Sequence, residues 1–377
     1  MPAIMTASPT PEDVRHMRHA LALAARGLGR VAPNPAVGCV IVSPNGNNGG
    51  RIVGRGWTAP GGRPHAETIA LEQAGAAARG ATAYVTLEPC AHHGQTPPCA
   101  EALAHAGIAR VVAAIEDPDP RVKGQGFARL REAGISLVTN VLAVEAAVLN
   151  EGFFDRVTKA RPLVTLKIAQ SLDGRTAAAS GESQWITGEA ARRIGHLMRA
   201  RHDAILVGIE TALKDDPELT CRLSGLEQAS PVRIVLDSRL RLGDSSKLAQ
   251  SARRVPTWVF TTAANENGAL RACGVEVIRV AGDTRGQPDI EAVLRVLAER
   301  GVTRLLVEGG AIVHAAFLDR EVVDRLEVFT APMVLGNAGK GAVGALAALS
   351  LGEAPRFERI SCRSVGPDVL ESFVARA

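Results

Sequence analysis

The chain has 377 residues, 46% of them hydrophobic and 22% charged, with a formal net charge of +4. That length exceeds one ordinary core and suits two domains, and the composition excludes a disordered chain. Basic residues are scattered as pairs such as Arg192-Arg193 and Arg253-Arg254, and aromatic residues are only 3%, so neither a basic tail nor base-stacking platforms for nucleic acid are expected and a small-molecule substrate is favoured.

The opening MPAIMTASPTPEDV lacks a basic region followed by an apolar stretch. No later segment approaches the roughly 18 uninterrupted apolar residues of a membrane span, so a cytoplasmic protein without a membrane partner is expected. Six cysteines are too sparse for a disulfide framework, and in a reducing compartment metal ligation is the better use of a close pair. Cys39, Cys221, Cys273 and Cys362 read as ordinary thiols.

In chain order, 12–27 carries Val14, Met17, Leu21 and Ala24 at helical spacing and stops at Gly27. Two β-rich runs at 37–42 and 51–57, separated by SPNGNNGG, predict a hairpin. A helix over 66–78, a strand over 81–87, a loop holding Cys90 and Cys99, and then helix 100–106, strand 110–115, helix 126–133 and strand 135–138 complete a layered α/β domain. A helix over 143–158 leads to Arg161-Pro162, and the domain boundary is placed near residue 150. The second half is expected to begin with a strand over 163–168, an Asp173-Gly174 turn of the hairpin kind, and helices at 188–202 and 208–214. Strands follow at 204–207, 232–236, 256–261, 275–279, 303–307, 324–330 and 368–374, without any fixed-period repeat.

The chemistry concentrates at two segments. Pro64-His65-Ala66-Glu67 opens a helix, and Thr86-Leu87-Glu88-Pro89-Cys90 ends a strand ahead of Cys99. One imidazole and two thiolates give zinc three protein ligands and leave its fourth position to water, whose pKa the ion lowers. Glu67 lies two residues beyond His65, close enough to move protons without binding metal, as the glutamate of zinc deaminases does. His65 alone would read as a capping or packed histidine. Cys90 and Cys99 alone would allow a disulfide, or a structural zinc site with His92 or His93 as fourth ligand. The combination favours the catalytic site and leaves His92 and His93 as loop or substrate-contacting residues.

HAE at 65–67, TLEPC at 86–90 and PCAHHGQTPPC at 89–99 resemble the bifunctional deaminase/reductase family of riboflavin biosynthesis. Eight residues separate the two cysteines, where the generic cytidine-deaminase signature has two. The resemblance implies an α/β/α cytidine-deaminase-like domain over 1–150. It extends to APNPAVGCVIV at 32–42, where Asn34 matches a substrate-contacting position; by itself Asn34 also reads as a turn residue.

LKIAQSLDGRT at 166–176, GESQWIT at 181–187, RARHDAILVG at 199–208, DDPELTCR at 215–222, VLDS at 235–238 and VEGGA at 307–311 resemble the reductase half of the same family. That half is expected over 151–377 with a dihydrofolate-reductase-like α/β fold. The residues themselves offer one phosphate-binding candidate, the strand-Gly309-Gly310-helix run at 305–311, because glycines allow close backbone approach and a helix N-terminus offers free N–H groups; taken alone, the glycine pair reads better as an ordinary turn. No GxGxxG follows a strand, so a Rossmann domain is unsupported. The resemblance implies NADPH near Ala169, Trp185, Thr211, Asp215, Ser238 and the loop beginning at Gly310, with substrate at Ser183, Arg199, Leu219, Arg222 and Glu308. Trp185 also reads as a core residue and the arginines as solvated charges.

Together these imply deamination of a phosphorylated diaminopyrimidine followed by NADPH-dependent reduction of its ribosyl side chain, with self-association as a homo-oligomer left open. Two rivals remain at this stage: a deaminase of another nucleobase with a C-terminal ligand-binding domain, and a zinc-stabilised RNA-binding or regulatory protein.

Overall fold

The computed structural model describes residues 9–44, 50–91, 97–265 and 267–376. They divide into two compact units, Met1–Ala160 and Arg161–Ala377. Residue 150, where the sequence suggested a boundary, lies inside the helix Ala143–Lys159, which belongs wholly to the first unit.

The first helix, α1 (Pro11–Ala24), starts where Thr10 accepts from the Asp13 N–H and Asp13 accepts from that of Thr10, a reciprocal cap with proline in the first turn. Strands β1 (Gly38–Ser43) and β2 (Arg51–Trp57) pair antiparallel as the hairpin signal predicts. Then come α2 (Ala66–Ala74), β3 (Thr82–Val85), α3 (Cys99–His105), β4 (Arg110–Ala113), α4 (Gln125–Glu132), β5 (Ser136–Val138) and α5 (Ala143–Lys159). The sheet order is β2-β1-β3-β4-β5, with β3, β4 and β5 parallel.

Alternation along β1 explains the layers. Cys39 and Ile41 join the buried cluster with Ala66, Ala70, Leu103 and Phe127 of α2, α3 and α4, while Val40 and Val42 join Met17, Ala20 and Ala146 of α1 and α5. A strand covered on both faces reads as a continuous apolar run, which is why GCVIVS is buried throughout. Helix α2 lies directly on the β2 backbone: a Cβ on Gly54 or Gly56 would come 2.1 Å from the carbonyl oxygen of Ala70 or Ala66 respectively.

The second unit contains β6 (Leu163–Ser171), β7 (Arg175–Ala177), α6 (Glu189–Ala200), β8 (Ala204–Gly208), α7 (Ile209–Asp215), β9 (Val232–Leu236), α8 (Lys247–Gln250), β10 (Thr257–Thr261) and α9 (Gly268–Ala272). It continues with β11 (Glu276–Arg279), α10 (Ile290–Glu299), β12 (Arg304–Gly309), α11 (Ala311–Asp319), β13 (Arg325–Ala331), β14 (Lys340–Gly341), β15 (Phe357–Val365) and β16 (Asp368–Ala375). The nine-stranded sheet has the order β11-β10-β9-β8-β12-β6-β13-β16-β15, parallel as far as β13 and closed by the antiparallel strands β16 and β15. Its faces again alternate: Leu206 and Ile234 pack with α10 and α11, whereas Ile205 and Val235 pack with α7, α8 and α9.

Two expectations change. The Asp173-Gly174 turn does not pair β6 with β7; β7 pairs with β14, because Asp173 accepts from the Leu335 and Gly336 N–H groups and ties the turn to the segment leading into β14. Strand β15 was not foreseen. It is an edge strand exposed along most of its length, so it carries no alternating apolar face. Among the described residues no helix is long and apolar enough to cross a membrane.

Candidate active sites

In the first unit, His65 stands immediately before α2, Cys99 opens α3, and Cys90 follows the Leu87-Glu88-Pro89 run beyond β3. The three ligand atoms lie within 4.8 Å of one another. His65 Nδ1 is 3.3 Å from Cys99 Sγ and 3.7 Å from Cys90 Sγ, and the Cys99 N–H donates to Cys90 Sγ at 3.3 Å. Tetrahedral zinc with ordinary Zn–N and Zn–S lengths sets N···S edges of about 3.6 Å, so the donor set and its spacing fit that ion. Cys90 and Cys99 are both free thiols. A hydrogen bond from Cys99, with a further contribution from His65, outweighs burial and draws the Cys90 thiol down to about 4, while that same bond and burial push Cys99 up.

Glu67 sits in the first turn of α2 and is only 4% exposed. Burial, reinforced by the Cys90 charge, raises its carboxyl to about 7, the range in which one group can both take up and release a proton. His65, Glu67 and Cys90 open onto a cavity of about 420 Å³ whose wall also includes Asn34, Phe153 and Arg156. The Asn34 side chain donates to the Gly62 carbonyl at 2.8 Å, which fixes its direction at the cavity edge. His92 and His93 lie outside the described residues.

One residue of this site was present in the quoted motif but not singled out. Glu88 is buried, and its two oxygens accept from the N–H groups of Asp117, Gly124, Gly126 and Phe127. It thus caps the first turn of α4 and ties the strand end before Cys90 to the loop after β4. Nothing in a lone glutamate before Pro-Cys reveals four partners 29 to 39 residues away.

In the second unit, the Arg199 Nε and Nη2 each donate to Glu308 at 2.8 Å, and its Nη1 donates to the Thr220 carbonyl at 3.1 Å. Leu219, beside that carbonyl, has φ +51°, and the Arg222 N–H points at His196 Nδ1 at 3.4 Å. Arg199, Leu219, Arg222 and Glu308 are thereby gathered. Burial favours the neutral form of Glu308, but the charges of Arg199 and Lys167 override it and hold the carboxyl at about 2. Lys167, which sequence reasoning passed over inside LKIAQSLDGRT, is 3.9 Å from Glu308 and has its pKa lowered by burial.

The strand-glycine-helix expectation is met: β12 ends at Gly309, whose φ of +128° requires glycine, and Gly310 caps α11. A Cβ at Gly310 would stand 3.1 Å from Thr211 Oγ1, so Thr211 faces this loop. Ala169 lies on β6 opposite Phe329, and the carbonyl of Ser238, just past β9, accepts from Thr262 Oγ1 at 3.2 Å. Trp185 is 62% exposed with the Arg192 guanidinium 4.8 Å from its ring centroid, so it is no core residue. No hydrogen bond among the described residues ties Ser183 or Asp215 to this group.

A His-Cys-Cys cluster beside a buried glutamate in a three-layer unit has the donor set of a zinc deaminase, and it is followed by a separate α/β unit with a glycine-capped helix. The cytidine and deoxycytidylate deaminase zinc-binding region matches residues 10–115, and the RibD C-terminal domain matches residues 162–370. The riboflavin biosynthesis protein RibD of Escherichia coli K12 is 42% identical over 369 residues, which covers 95% of this chain and 98% of that protein. The solved RibD of Acinetobacter baumannii, form 1, aligns with a TM-score of 0.87 at 37% identity, covering 97% of this chain and 99% of that one. The deaminase/reductase structure from Thermotoga maritima gives 0.85 at 36%, covering 97% and 99%. The chain belongs to the RibD family, the bifunctional deaminase/reductases of riboflavin biosynthesis. Both expected fold classes, deaminase-like and reductase-like, hold.

Proposed function

We propose that the first unit hydrolytically deaminates 2,5-diamino-6-(5-phosphoribosylamino)pyrimidin-4-one and that the second reduces the ribosyl side chain of the product to ribityl with NADPH. The observation that carries the first step is the convergence of His65, Cys90 and Cys99 beside the buried Glu67. His65, Cys90 and Cys99 would hold zinc, which when bound supplies the Lewis acidity that lowers the pKa of a water in its open position. Glu67 takes a proton from the attacking water and delivers one to the amino nitrogen as it leaves the ring. Its burial keeps bulk water from competing for those protons. Asn34, on the same cavity wall, orients the pyrimidine.

In the second unit the nucleotide would lie along Ala169, Trp185, Thr211, Asp215, Ser238 and Gly310. The glycine-capped α11 and the Thr211–Gly310 approach support that assignment. NADPH when bound supplies the hydride for the ribose C1′. Ser183, Arg199, Leu219, Arg222 and Glu308 would hold the substrate, and the Arg199–Glu308 pair beside the Thr220 carbonyl supports their grouping. The enzyme acts on a small molecule in the cytoplasm, without nucleic acid or membrane as partner; scattered basic residues and scarce aromatics support this. The test supplies purified protein with the diaminopyrimidinone phosphate and NADPH while ammonia and NADPH absorbance are followed. Ammonia should appear first and NADPH oxidation should depend on it. Absence of ammonia release, or oxidation of NADPH at an equal rate on undeaminated substrate, would overturn the reading, and equal efficiency with NADH would remove the cofactor assignment.

A further inference from the structure

The segment that joins β7 to α6 is anchored at both ends. Near its start Lys214 of α7 donates to the Gly181 carbonyl, and at its end the Gly188 N–H donates to Asp368 at 2.7 Å. Between these anchors lie Ser183 and Trp185, assigned above to substrate and nucleotide. The indole is held by a residue to which neither reaction has given a part. Arg192, near the start of α6, places its guanidinium 4.8 Å from the Trp185 ring centroid, and its Nη1 donates to the Thr187 carbonyl at 2.8 Å. Arg192, His196 and Arg199 follow one another along α6 at i, i+4 and i+7, the spacing of a single helix face. Arg192 is half-buried and so shares its face with the Arg199–Glu308 pair.

The chain has three tryptophans, and each carries an arginine over its ring. Trp57 and Trp258 are half-buried against apolar clusters, so there the indole is already spent on packing. Trp185 is exposed. An indole braced by a cation and still open is a platform on which a flat ring can stack. The brace also sets which ring is preferred. The guanidinium draws on the negative π face of the indole, and among the described residues no carboxylate lies within ion-pair distance of Arg192. A positive ring on the other face would compete for the same π electrons and would stand about one screening length, about 8 Å, from a like charge. A neutral ring escapes both costs. Reduced nicotinamide is neutral and oxidised nicotinamide is cationic.

We propose that Arg192 braces Trp185 as the stacking platform for the nicotinamide ring and makes that platform selective for the reduced form, so that the oxidised nucleotide leaves more readily after turnover. This rests on the nucleotide assignment above. Arg192 acts through Trp185 and is a positioning residue.

Dissociation constants of NADPH and NADP⁺ are measured by isothermal titration calorimetry on the full-length protein, as wild type and as Arg192→Met, Arg192→Gln and Arg192→Lys. Methionine keeps the reach and the contact with the indole without the charge. Glutamine is neutral and can still donate to the Thr187 carbonyl, and lysine keeps the charge. The ratio of the NADP⁺ constant to the NADPH constant should fall by about threefold in Arg192→Met and in Arg192→Gln, the scale of a cation–π contact at an exposed site, and should stay near the wild-type ratio in Arg192→Lys. Equal weakening of both nucleotides by the neutral variants would make Arg192 a phosphate contact or a structural support. A loss confined to binding of the deaminated pyrimidine would put that ring on Trp185 instead of nicotinamide. Either result, or an unchanged ratio, overturns the proposal. A wild-type protein that binds neither nucleotide counts against the reductase assignment itself, whereas tight NADPH binding with a ratio indifferent to the charge at position 192 counts against the role of Arg192 alone.

Discussion

Replacing Glu88 by glutamine should loosen one wall of the deaminase cavity without touching a zinc ligand. In the structure Oε2 accepts from Asp117 N–H at 3.2 Å and Gly124 N–H at 3.0 Å, and Oε1 from Gly126 N–H at 2.8 Å and Phe127 N–H at 3.1 Å. Glutamine keeps one acceptor oxygen and turns an NH₂ group toward the other pair of donors. Two charge-assisted hydrogen bonds are lost and two buried N–H groups are left facing another donor. At about 1.5–3 kcal/mol for a hydrogen bond to a charged group, the loss is about 3–6 kcal/mol, a large share of the about 5–15 kcal/mol that stabilises an ordinary domain. Loop repacking offers little relief, because a Cβ on Gly126 would already stand 1.9 Å from the Pro89 carbonyl. The assay is amide hydrogen exchange at Gly124, Gly126 and Phe127, which reads local opening directly. With a factor of ten for each 1.4 kcal/mol, exchange should accelerate by more than about a hundredfold. Rates within about threefold of wild type would refute the role assigned to Glu88.

His202 donates from Nδ1 to the Met198 carbonyl and meets Thr165 Oγ1 through Nε2, and burial followed by the Arg304 charge lowers its pKa from 6.5 to about 3. The unfolded chain therefore binds this proton more tightly, so the stability is full above about pH 6.5 and is lost as pH falls toward the folded value; from pH 7 to pH 5 the second unit should lose about 2 kcal/mol. Urea unfolding that does not change over this interval would contradict it, and His202→Gln should flatten the dependence. Arg199→Ala should destabilise the second unit by about 3–5 kcal/mol because Glu308 loses its bidentate partner, whereas Arg222→Ala, which breaks a half-exposed pair with Glu218, should cost under about 1 kcal/mol; equal unfolding midpoints for the two variants would count against the buried pair. Gly56→Ala drives a methyl group into the Ala66 carbonyl and should displace the start of α2, weakening zinc retention in a competition with chelator; unchanged zinc affinity would show that the helix tolerates the shift.

The parts of this molecule legible in the sequence are those whose signal is local. β-rich runs and helical spacing placed β1, β2, β9 and most other elements within a few residues, because the residues that make the runs are the ones the layers bury, on both faces of β1 and along most of β9. His65, Glu67, Cys90 and Cys99 were legible because zinc chemistry demands those residue types in that order. What stayed hidden depends on partners distant in the chain. Strand β15 has no apolar face to display, and β7 is claimed by β14 through Asp173 contacts 162 and 163 residues away. Lys167 differs from other lysines only through Glu308, and Arg199 looks like a free phosphate ligand until the structure shows its fork engaged by the same carboxylate.

The most direct test of the deamination chemistry is the Glu67→Gln variant, assayed for ammonia release and zinc content on the same preparation. Glutamine keeps the side-chain size in a buried position but has no carboxylate to take or deliver a proton. General acid–base catalysis contributes about 10²–10⁴-fold, and here one group serves successive transfers, so deamination should fall by about 10⁴-fold while zinc stoichiometry stays at the wild-type value. Near wild-type deamination with zinc bound would make Glu67 a structural residue and contradict the mechanism.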